Sequence, residues 1–294
     1  MPNTVEAGFE SFLGTLRTTP TETDAAKGHR TSIKSKLDNT FGGIDFFRTG
    51  SFGNGTNVAG CSDVDYFAVI AQQQAYLDSG RTLEQVAVAL RERFPTTPNI
   101  RVNGPSVRVP FGLDGAEATE IVPVYEIGLT RLGFREFRMP DGNGGWKFSA
   151  PESHNDYVRV VDQKHDGAVK PLVRFAKAWK FLRNVPIKSF YLEIRIADYA
   201  YGEGRILYDV DVKQIFQFML SDALATVVDP RFPNDNQFLL PCNTALQRAD
   251  AISKLAVAAE RASDAVELRR EGKIRQAFQK WNLIFNGAFP LYTP

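Results

Sequence analysis

Two aspartates one residue apart, Asp63 and Asp65, stand at the start of a short apolar run that predicts a buried β-strand over residues 64–70. Side chains alternate across a strand, so both carboxylates lie on one face, with their Cα atoms about 6.7 Å apart. Neighbouring carboxylates repel each other, and each resists desolvation. A divalent cation relieves both penalties, and oxygen ligands alone favour Mg²⁺ or Mn²⁺. Taken alone, the pair is more typical of a solvated strand end or of residues that cap a turn.

A glycine-rich segment precedes this strand. Gly50 and Ser51 follow a predicted strand at residues 44–47 and begin a predicted loop with three further glycines, Gly53, Gly55 and Gly60. Backbone N–H groups at glycines can approach phosphates closely, and the Ser51 hydroxyl adds a donor. A flexible hairpin loop is the alternative for this segment alone. A phosphate-binding loop just before a carboxylate pair is more specific, because a triphosphate and its Mg²⁺ occupy adjacent space.

The remaining pattern divides the chain into a mixed first half and a helical second half, which predicts an α+β fold. Helical periodicity covers residues 5–17, a stretch from Pro20 to about Asn39, and residues 82–94. Strands are predicted near 99–103, 106–111 and 119–124, and the segment 133–157 predicts a surface hairpin or covering loop. Later helices are predicted at 168–184, 188–202, 208–226, 244–269 and 271–285.

The composition excludes several classes of protein. A net charge of +1 lacks the basic excess of a protein that coats nucleic acid. Two cysteines and three scattered histidines argue against a disulfide framework and a zinc site. The N-terminus lacks a signal-peptide pattern, and no apolar run approaches the roughly 20 residues that a membrane span needs. We therefore expect a cytoplasmic protein.

The spacing of the two motifs supplies a resemblance. Gly50-Ser51, eleven intervening residues and then Asp63-Val64-Asp65-Tyr66 resemble the signature of the polymerase-β-like nucleotidyltransferase superfamily. Within that superfamily, almost the whole chain is similar to the bacterial cyclic-oligonucleotide synthases related to cyclic GMP-AMP synthase. The resemblance implies a nucleotidyltransferase core, a mixed twisted sheet with helices, at residues 1–160. A C-terminal helical domain at residues 161–294 would complete the nucleotide pocket, with the N-terminal helices bridging both lobes.

The same resemblance implies a third carboxylate on a later strand, shortly before a proline. Glu120, in Glu120-Ile121-Val122-Pro123, fits that place, whereas Asp114 and Glu117 fall in a turn-like segment. Many relatives carry Asp at this position, and Glu is one methylene longer. Asp63, Asp65 and Glu120 would then hold two Mg²⁺ or Mn²⁺ ions.

Nucleotide contacts in the helical half also follow from the resemblance. On residue types alone, Lys170, Arg174 and Lys177 form one charged helix stripe, which predicts a solvated surface. The resemblance implies instead that Lys177 contacts triphosphate. It also implies that Ser189 contacts phosphate and that Phe190 stacks on the base, with Tyr191 as the alternative ring. On residue types, Ser189 is equally a helix N-cap, with Glu193 supporting the helix start.

The implied reaction is two-metal nucleotidyl transfer between nucleoside triphosphates. Ser51, Lys177 and Ser189 would hold the triphosphate, while Glu120 would ligate the ion nearer the acceptor hydroxyl and help to remove its proton. Each transfer releases pyrophosphate, and further rounds on the linear intermediate close a cyclic di- or trinucleotide. The resemblance further implies bacterial antiphage signalling by a monomer without membrane or obvious nucleic-acid contacts, and leaves a regulatory protein partner open.

Three alternatives remain at this point. One is a nucleotidyltransferase that makes linear oligonucleotides or tails RNA. The second is a catalytically silent nucleotide-binding scaffold that kept the fold. The third is a sensor activated by nucleic acid, which neither a Cys/His cluster nor a basic excess supports. Base choice and linkage depend on pocket shape and do not follow from motif spacing.

Overall fold

The computed structural model describes residues 2–18, 20–112, 117–232 and 237–294, which form two compact units. The first, here called the sheet unit, is Thr18–Asp156. The second, the helical unit, combines Met1–Arg17 with Tyr157–Pro294. A mixed sheet in one unit and helices in the other confirm the predicted α+β class. Asp114 lies outside the described residues.

The elements follow one another in an order that keeps nearly all strands in the first half of the chain. The helices are α1 (Val5–Leu16), α2 (Pro20–Phe41), α3 (Gly50–Asn54), α4 (Ser79–Arg93), α5 (Pro151–Lys164), α6 (Val169–Leu182), α7 (Ser189–Gly202), α8 (Tyr208–Ser221), α9 (Ala245–Arg270) and α10 (Ile274–Ile284). The strands are β1 (Asp45–Arg48), β2 (Val64–Val69), β3 (Arg101–Asn103), β4 (Ser106–Phe111), β5 (Glu117–Leu129), β6 (Arg135–Pro140), β7 (Trp146–Ser149), β8 (Val227–Val228) and β9 (Phe238–Leu239).

The sheet unit is built around the long strand β5. Its N-terminal half lies between β2 and β4, in the order β1-β2-β5-β4-β3, and its C-terminal half pairs with β6, which in turn pairs with β7. The β2–β5 pair is parallel, whereas the other pairs in this sheet are antiparallel. The predicted hairpin within residues 133–157 is thus the β6–β7 extension of the sheet.

The two faces of this sheet bury different residues because side chains alternate along each strand. On one face, Val64, Tyr66 and Ile121 pack with residues of α2 and α4 in the main core. On the other face, Phe67 and Val122 belong to a smaller apolar cluster with Val124 and Phe137. Asp65 precedes Phe67 by two residues, and Glu120 precedes Val122 by two. Both carboxylates therefore lie on the face of the smaller cluster.

The helical unit is held together by aromatic packing onto α1. Phe9 is buried, and its ring centroid lies 5.0 Å from that of Phe175, 4.9 Å from Trp281 and 5.1 Å from Phe289. Phe175 is on α6 and Trp281 is on α10, so one ring joins three helices of the unit. This packing explains why residues 1–17 group with the C-terminal half, whereas the resemblance included the N-terminal helices in the 1–160 core and let them bridge both lobes.

Two segments differ from the sequence prediction. The glycine-rich stretch after β1 forms the short helix α3, capped at its C-terminus by Gly55 in the left-handed conformation, where an open loop was expected. Helix α5 begins at Pro151, inside the segment predicted as a hairpin or covering loop. Proline at a first helical position is favourable, because its fixed φ suits a helix and its missing N–H has no partner there.

We expect Phe9→Ala to lower the free energy of unfolding by about 3–5 kcal/mol, because it leaves a cavity among the rings of three helices. Denaturant unfolding followed by tryptophan fluorescence measures the change. Leu246→Ala is the matched control, since Leu246 is 82% exposed in the same unit and should change stability by no more than about 0.5 kcal/mol. Equal losses in the two variants would contradict this account of α1.

Candidate active site

The parallel pairing of β2 with β5 brings two of the predicted carboxylates together. Asp65 and Glu120 are direct Cα partners in this pair, with Val64 opposite Thr119 and Tyr66 opposite Ile121. Neighbouring strands lie about 4.8 Å apart, and direct partners point to the same face. The two carboxylates therefore stand side by side at one end of the sheet, as the sequence predicted.

Asp63 lies just before the first residue of β2 and completes an acidic set on the same part of the sheet. Its Oδ1 is 3.5 Å from an Nη atom of Arg108 on β4. Burial raises the pKa of the Asp63 carboxyl; the charge of Arg108 opposes this rise, and the charge of Glu120 adds to it. Glu120 is thus close enough to Asp63 for its negative charge to oppose ionisation of that carboxyl.

Glu120 is held by the β3–β4 hairpin. Its Oε1 accepts a hydrogen bond of 2.8 Å from Nδ2 of Asn103, and its Oε2 accepts one of 3.0 Å from Oγ of Ser106. Each carboxylate oxygen has a second lone pair. The two bonds thus fix the side chain while leaving it able to bind a cation. Neither donor carries a local sequence signal, because only the strand pairing reveals that Asn103 and Ser106 face Glu120.

The Gly50-Ser51 turn packs directly on Asp65. The backbone N–H of Thr49 donates to the carbonyl oxygen of Asp65 at 2.9 Å. A Cβ atom at Gly50 would lie only 2.0 Å from Oδ2 of Asp65, and φ at Gly50 is +57°. Glycine is therefore required twice here, once for the left-handed backbone and once for the space that the carboxylate occupies. The serine of the motif follows at the first turn of α3.

Lys177 occupies a different environment from the charged surface that its helix pattern predicted. It lies on α6 with no exposed surface, and its Nζ donates to Oε1 of the buried Glu193 on α7. A buried ammonium requires such a partner, because desolvation of a lone charge is costly. The negative charge of Glu193 therefore compensates the positive charge of Lys177 inside the unit. Glu193 lies beyond the first turn of α7, so it does not support the helix start as predicted.

Ser189 is the first residue of α7, and the N-cap position belongs to Lys188, whose side chain makes no capping hydrogen bond. The predicted capping role of Ser189 is thus wrong, since its Oγ accepts from Nζ of Lys180 at 2.9 Å. Lys180 is half-buried at the last turn of α6. This lysine, three residues after Lys177, was not among the predicted site residues.

The two candidate stacking rings differ in exposure. Phe190 is 42% exposed, whereas Tyr191 is 1% exposed. The hydroxyl of Tyr191 donates to the carbonyl oxygen of Ala225 at 2.8 Å, and burial raises its pKa to about 12. Tyr191 is thus part of the core of the helical unit, and Phe190 is the ring with surface available to a ligand.

The acidic set has the chemistry of a magnesium site, since all of its donors are carboxylate oxygens. Among the described residues, no three His, Cys, Asp or Glu side chains are grouped closely enough to hold a metal ion as they stand. The residues fit a divalent cation by the chemistry of their donors, all of which are carboxylate oxygens.

Strand order, carboxylate register and the glycine-serine turn together define a nucleotidyltransferase of the polymerase-β-like class. Residues 3–161, more than half of the chain, match the family model of the Second Messenger Oligonucleotide or Dinucleotide Synthetase domain. The chain belongs to this family, which confirms the resemblance found in the sequence.

Individual relatives agree with this assignment. The chain is 26% identical over 175 residues to a probable cyclic nucleotide synthase of Bacillus cereus, a match that covers 58% of this chain and 51% of that protein. The chain spans about half the length of the curated relatives it matches.

None of the described helices has both the length and the apolar character of a membrane span.

Solved structures show the same fold over nearly the full length. CdnC of Escherichia coli MS115-1, in complex with HORMA-deltaN, has a TM-score of 0.76 at 19% identity and covers 97% of this chain and 98% of its own. Vibrio cholerae DncV cyclic AMP-GMP synthase with the linear intermediate 5′ pppA(3′,5′)pG has a TM-score of 0.75 at 14% identity. That match covers 95% of this chain and 93% of that one.

We expect Gly50→Ala to reduce nucleotidyltransferase turnover by about 100-fold, because the new methyl group displaces the Asp65 carboxylate and small misplacements at a reacting centre cost about that much. Gly42→Ala is the matched control. Gly42 also has a positive φ, +79°, but nothing lies within 4 Å of an added Cβ. The control should lose about 1 kcal/mol of stability and keep its turnover. Similar turnover in both variants would contradict the proposed steric role of Gly50.

Proposed function

We propose that this chain joins nucleoside triphosphates into a cyclic di- or trinucleotide and releases pyrophosphate, and that the product serves in bacterial antiphage signalling. The family assignment supports a second-messenger synthetase. The observation that carries the catalytic part is the register of Asp65 with Glu120 on adjacent parallel strands. A catalytically inactive scaffold does not require Asp65 opposite Glu120, or a glycine at position 50 that leaves space for the Asp65 carboxylate.

In this proposal Asp63, Asp65 and Glu120 bind two Mg²⁺ or Mn²⁺ ions. When bound, such ions neutralise triphosphate oxygens and lower the pKa of the attacking ribose hydroxyl. Asn103 and Ser106 hold the Glu120 carboxylate in place through hydrogen bonds. Because the side chain is already ordered, it can accept the proton of the attacking ribose hydroxyl without a further loss of conformational entropy. The Ser51 hydroxyl, next to the turn that packs on Asp65, donates to the triphosphate.

The helical unit supplies further candidate nucleotide contacts. We assign the phosphate-binding pair to Ser189 and Lys180, because the ammonium group of Lys180 already lies at the serine hydroxyl. Lys177, which the sequence favoured, stays a candidate only if its bond with the buried Glu193 opens. Phe190 is proposed to stack on a base because it is the exposed ring of its pair.

The substrates and a partner are proposed by analogy with two relatives. DncV is described with a linear pppA(3′,5′)pG intermediate, which supports triphosphate substrates here. CdnC is described in complex with HORMA-deltaN, which supports a regulatory protein partner here.

The decisive experiment incubates the protein with all four nucleoside triphosphates and Mg²⁺ or Mn²⁺ and identifies products by mass spectrometry. A cyclic di- or trinucleotide supports the proposal. A linear product assigns the chain to the alternative class of synthase. Pyrophosphate release without any oligonucleotide product contradicts the proposal. So does the absence of pyrophosphate release both in the presence and in the absence of duplex DNA or RNA. The signalling role is tested separately by phage challenge of cells that express the active chain.

We expect the double variant Asp63→Asn, Asp65→Asn to form no product, because neutral amides are poor ligands for Mg²⁺. Its unfolding midpoint in metal-free buffer should be equal or higher, since the raised pKa of Asp63 shows that the folded state disfavours the charged form. The control is Glu84→Gln with Glu92→Gln, two carboxylates whose side chains are 53% and 62% exposed on α4. Retained activity in the aspartate variant would place the site elsewhere.

A second pair of variants separates the two lysines of α6. Lys177→Ala should lower the free energy of unfolding by about 3–5 kcal/mol, because it leaves the Glu193 carboxylate buried without its counter-charge. Lys180→Ala should unfold like the wild type and raise the KM for triphosphate with little change in kcat. Denaturation curves and initial-rate kinetics measure both. If Lys180→Ala leaves KM unchanged, the assigned phosphate contact is wrong.

A further inference from the structure

Four charged side chains form a row across the sheet, which begins with two carboxylates of the acidic set and continues with two arginines. Asp65 on β2 is opposite Glu120 on β5, Glu120 is opposite Arg108 on β4, and Arg108 is opposite Arg101 on β3. Direct partners share a face, so the row has two negative charges followed by two positive charges at spacings of about 4.8 Å. Arg108 is the cation nearest to the carboxylates in this row.

Arg108 is bound less completely than a structural arginine normally is. The contact between its Nη2 atom and Oδ1 of Asp63 is 3.5 Å, longer than the roughly 2.7–2.9 Å of a charge-assisted hydrogen bond. Its Nε is buried and has no hydrogen-bond partner among the described residues. Buried polar groups are normally satisfied. The guanidinium is therefore held beside the acidic set by charge, with an unfilled hydrogen-bond donor.

Glu120 shows that this arrangement is not an ordinary cross-strand ion pair. Although Glu120 is directly opposite Arg108, its two oxygens accept hydrogen bonds from Asn103 and Ser106. Arg108 extends instead to Asp63, which precedes the first residue of β2. The guanidinium charge is thus placed at the set of oxygens that the proposed function assigns to metal ions.

We propose that Arg108 is a positioning residue that acts as a built-in counter-ion, neutralising the carboxylate set before metal binds and yielding its place to the divalent cation. The inference rests on the proposed function for the identity of the metal ligands. Arg108 offsets part of the mutual repulsion of the three carboxylates in the metal-free protein, through its contact with Asp63. The same positive charge competes with an incoming cation, so it weakens metal binding.

If Arg108 has this role, removal of its charge should lower the stability of the metal-free protein and raise the affinity for metal. Removal of a purely structural arginine should not raise the affinity for metal. Arg108→Gln removes the charge, so Mn²⁺ should bind about tenfold more tightly, while the unfolding midpoint in EDTA should fall. Saturating Mn²⁺ should restore the midpoint to that of the wild type. Arg108→Lys keeps the charge and should resemble the wild type within about twofold in Mn²⁺ affinity.

Arg138→Gln is the matched control, because it removes one arginine charge from an exposed position of the same sheet. Arg138 is opposite Tyr125, five residues along β5 from Glu120, which is about 17 Å at the rise of a strand. That separation exceeds the Debye length of about 10 Å in 0.1 M salt. Its Mn²⁺ affinity should equal that of the wild type.

The test titrates Mn²⁺ into the full chain without nucleotide and follows free Mn²⁺ by electron paramagnetic resonance, with thermal unfolding in EDTA and in Mn²⁺ alongside. Equal or weaker Mn²⁺ binding by Arg108→Gln overturns the counter-ion role and leaves the proposed function intact. If the wild type binds no Mn²⁺ at saturating concentration, the metal site itself is wrong. If Arg108→Gln is unfolded in EDTA, refolding on Mn²⁺ addition supports the role, and failure to refold overturns it.

Discussion

The parallel pairing of β2 with β5 is the interaction on which the site depends. A strand shifted by one residue presents its other face, so register decides which side chains meet. Val64, Tyr66 and Ile121 are buried against α2 and α4, and a shift would place Asp65 or Glu120 in that apolar core. The cost of burying a carboxylate there fixes the register. Hydrophobic packing on one face therefore brings the acidic side chains together on the other.

The site balances several unfavourable groups against one another. Asp63 is partly desolvated, and the negative charge of Glu120 repels it. The positive charge of Arg108 on β4 offsets that repulsion. Gly50 adopts a backbone conformation that most residues avoid, and the space left by its missing side chain holds the Asp65 carboxylate. Such local compromises are stable because the sheet around them is well packed, and they are common at sites that bind ligands.

Local patterns in the sequence predicted those features that depend on near neighbours. Alternation of side chains along a strand predicted a shared face for Asp63 and Asp65, although β2 begins at Val64 and does not include Asp63. Helical periodicity located α1, α6 and α9 within a few residues of their observed bounds. Pairing between distant segments has no such local signal. Asn103, Ser106 and Arg108 could be linked to Glu120 only after the register of β4 with β5 was known.

Lys177 shows the same limit from another direction. Its helical spacing with Lys170 and Arg174 is typical of a solvated stripe, yet its partner Glu193 lies on the next helix and makes burial possible. The spacing does not reveal a buried counter-charge sixteen residues away. Lys180, the half-buried lysine one turn later, carries no distinguishing pattern of its own and becomes a candidate only through its contact with Ser189.

The third carboxylate shows how a departure from the usual pattern can be compensated. Glutamate has one more rotatable bond than the aspartate with which the resemblance contrasts it, so its carboxylate is intrinsically less well placed. Here the β3–β4 hairpin removes that freedom, because Asn103 and Ser106 each bind one oxygen of Glu120. Ser106 is fully buried, so this donor is itself immobilised by packing. The hairpin lies outside the glycine-serine and aspartate motifs, yet it determines where the longest of the three acidic side chains can reach.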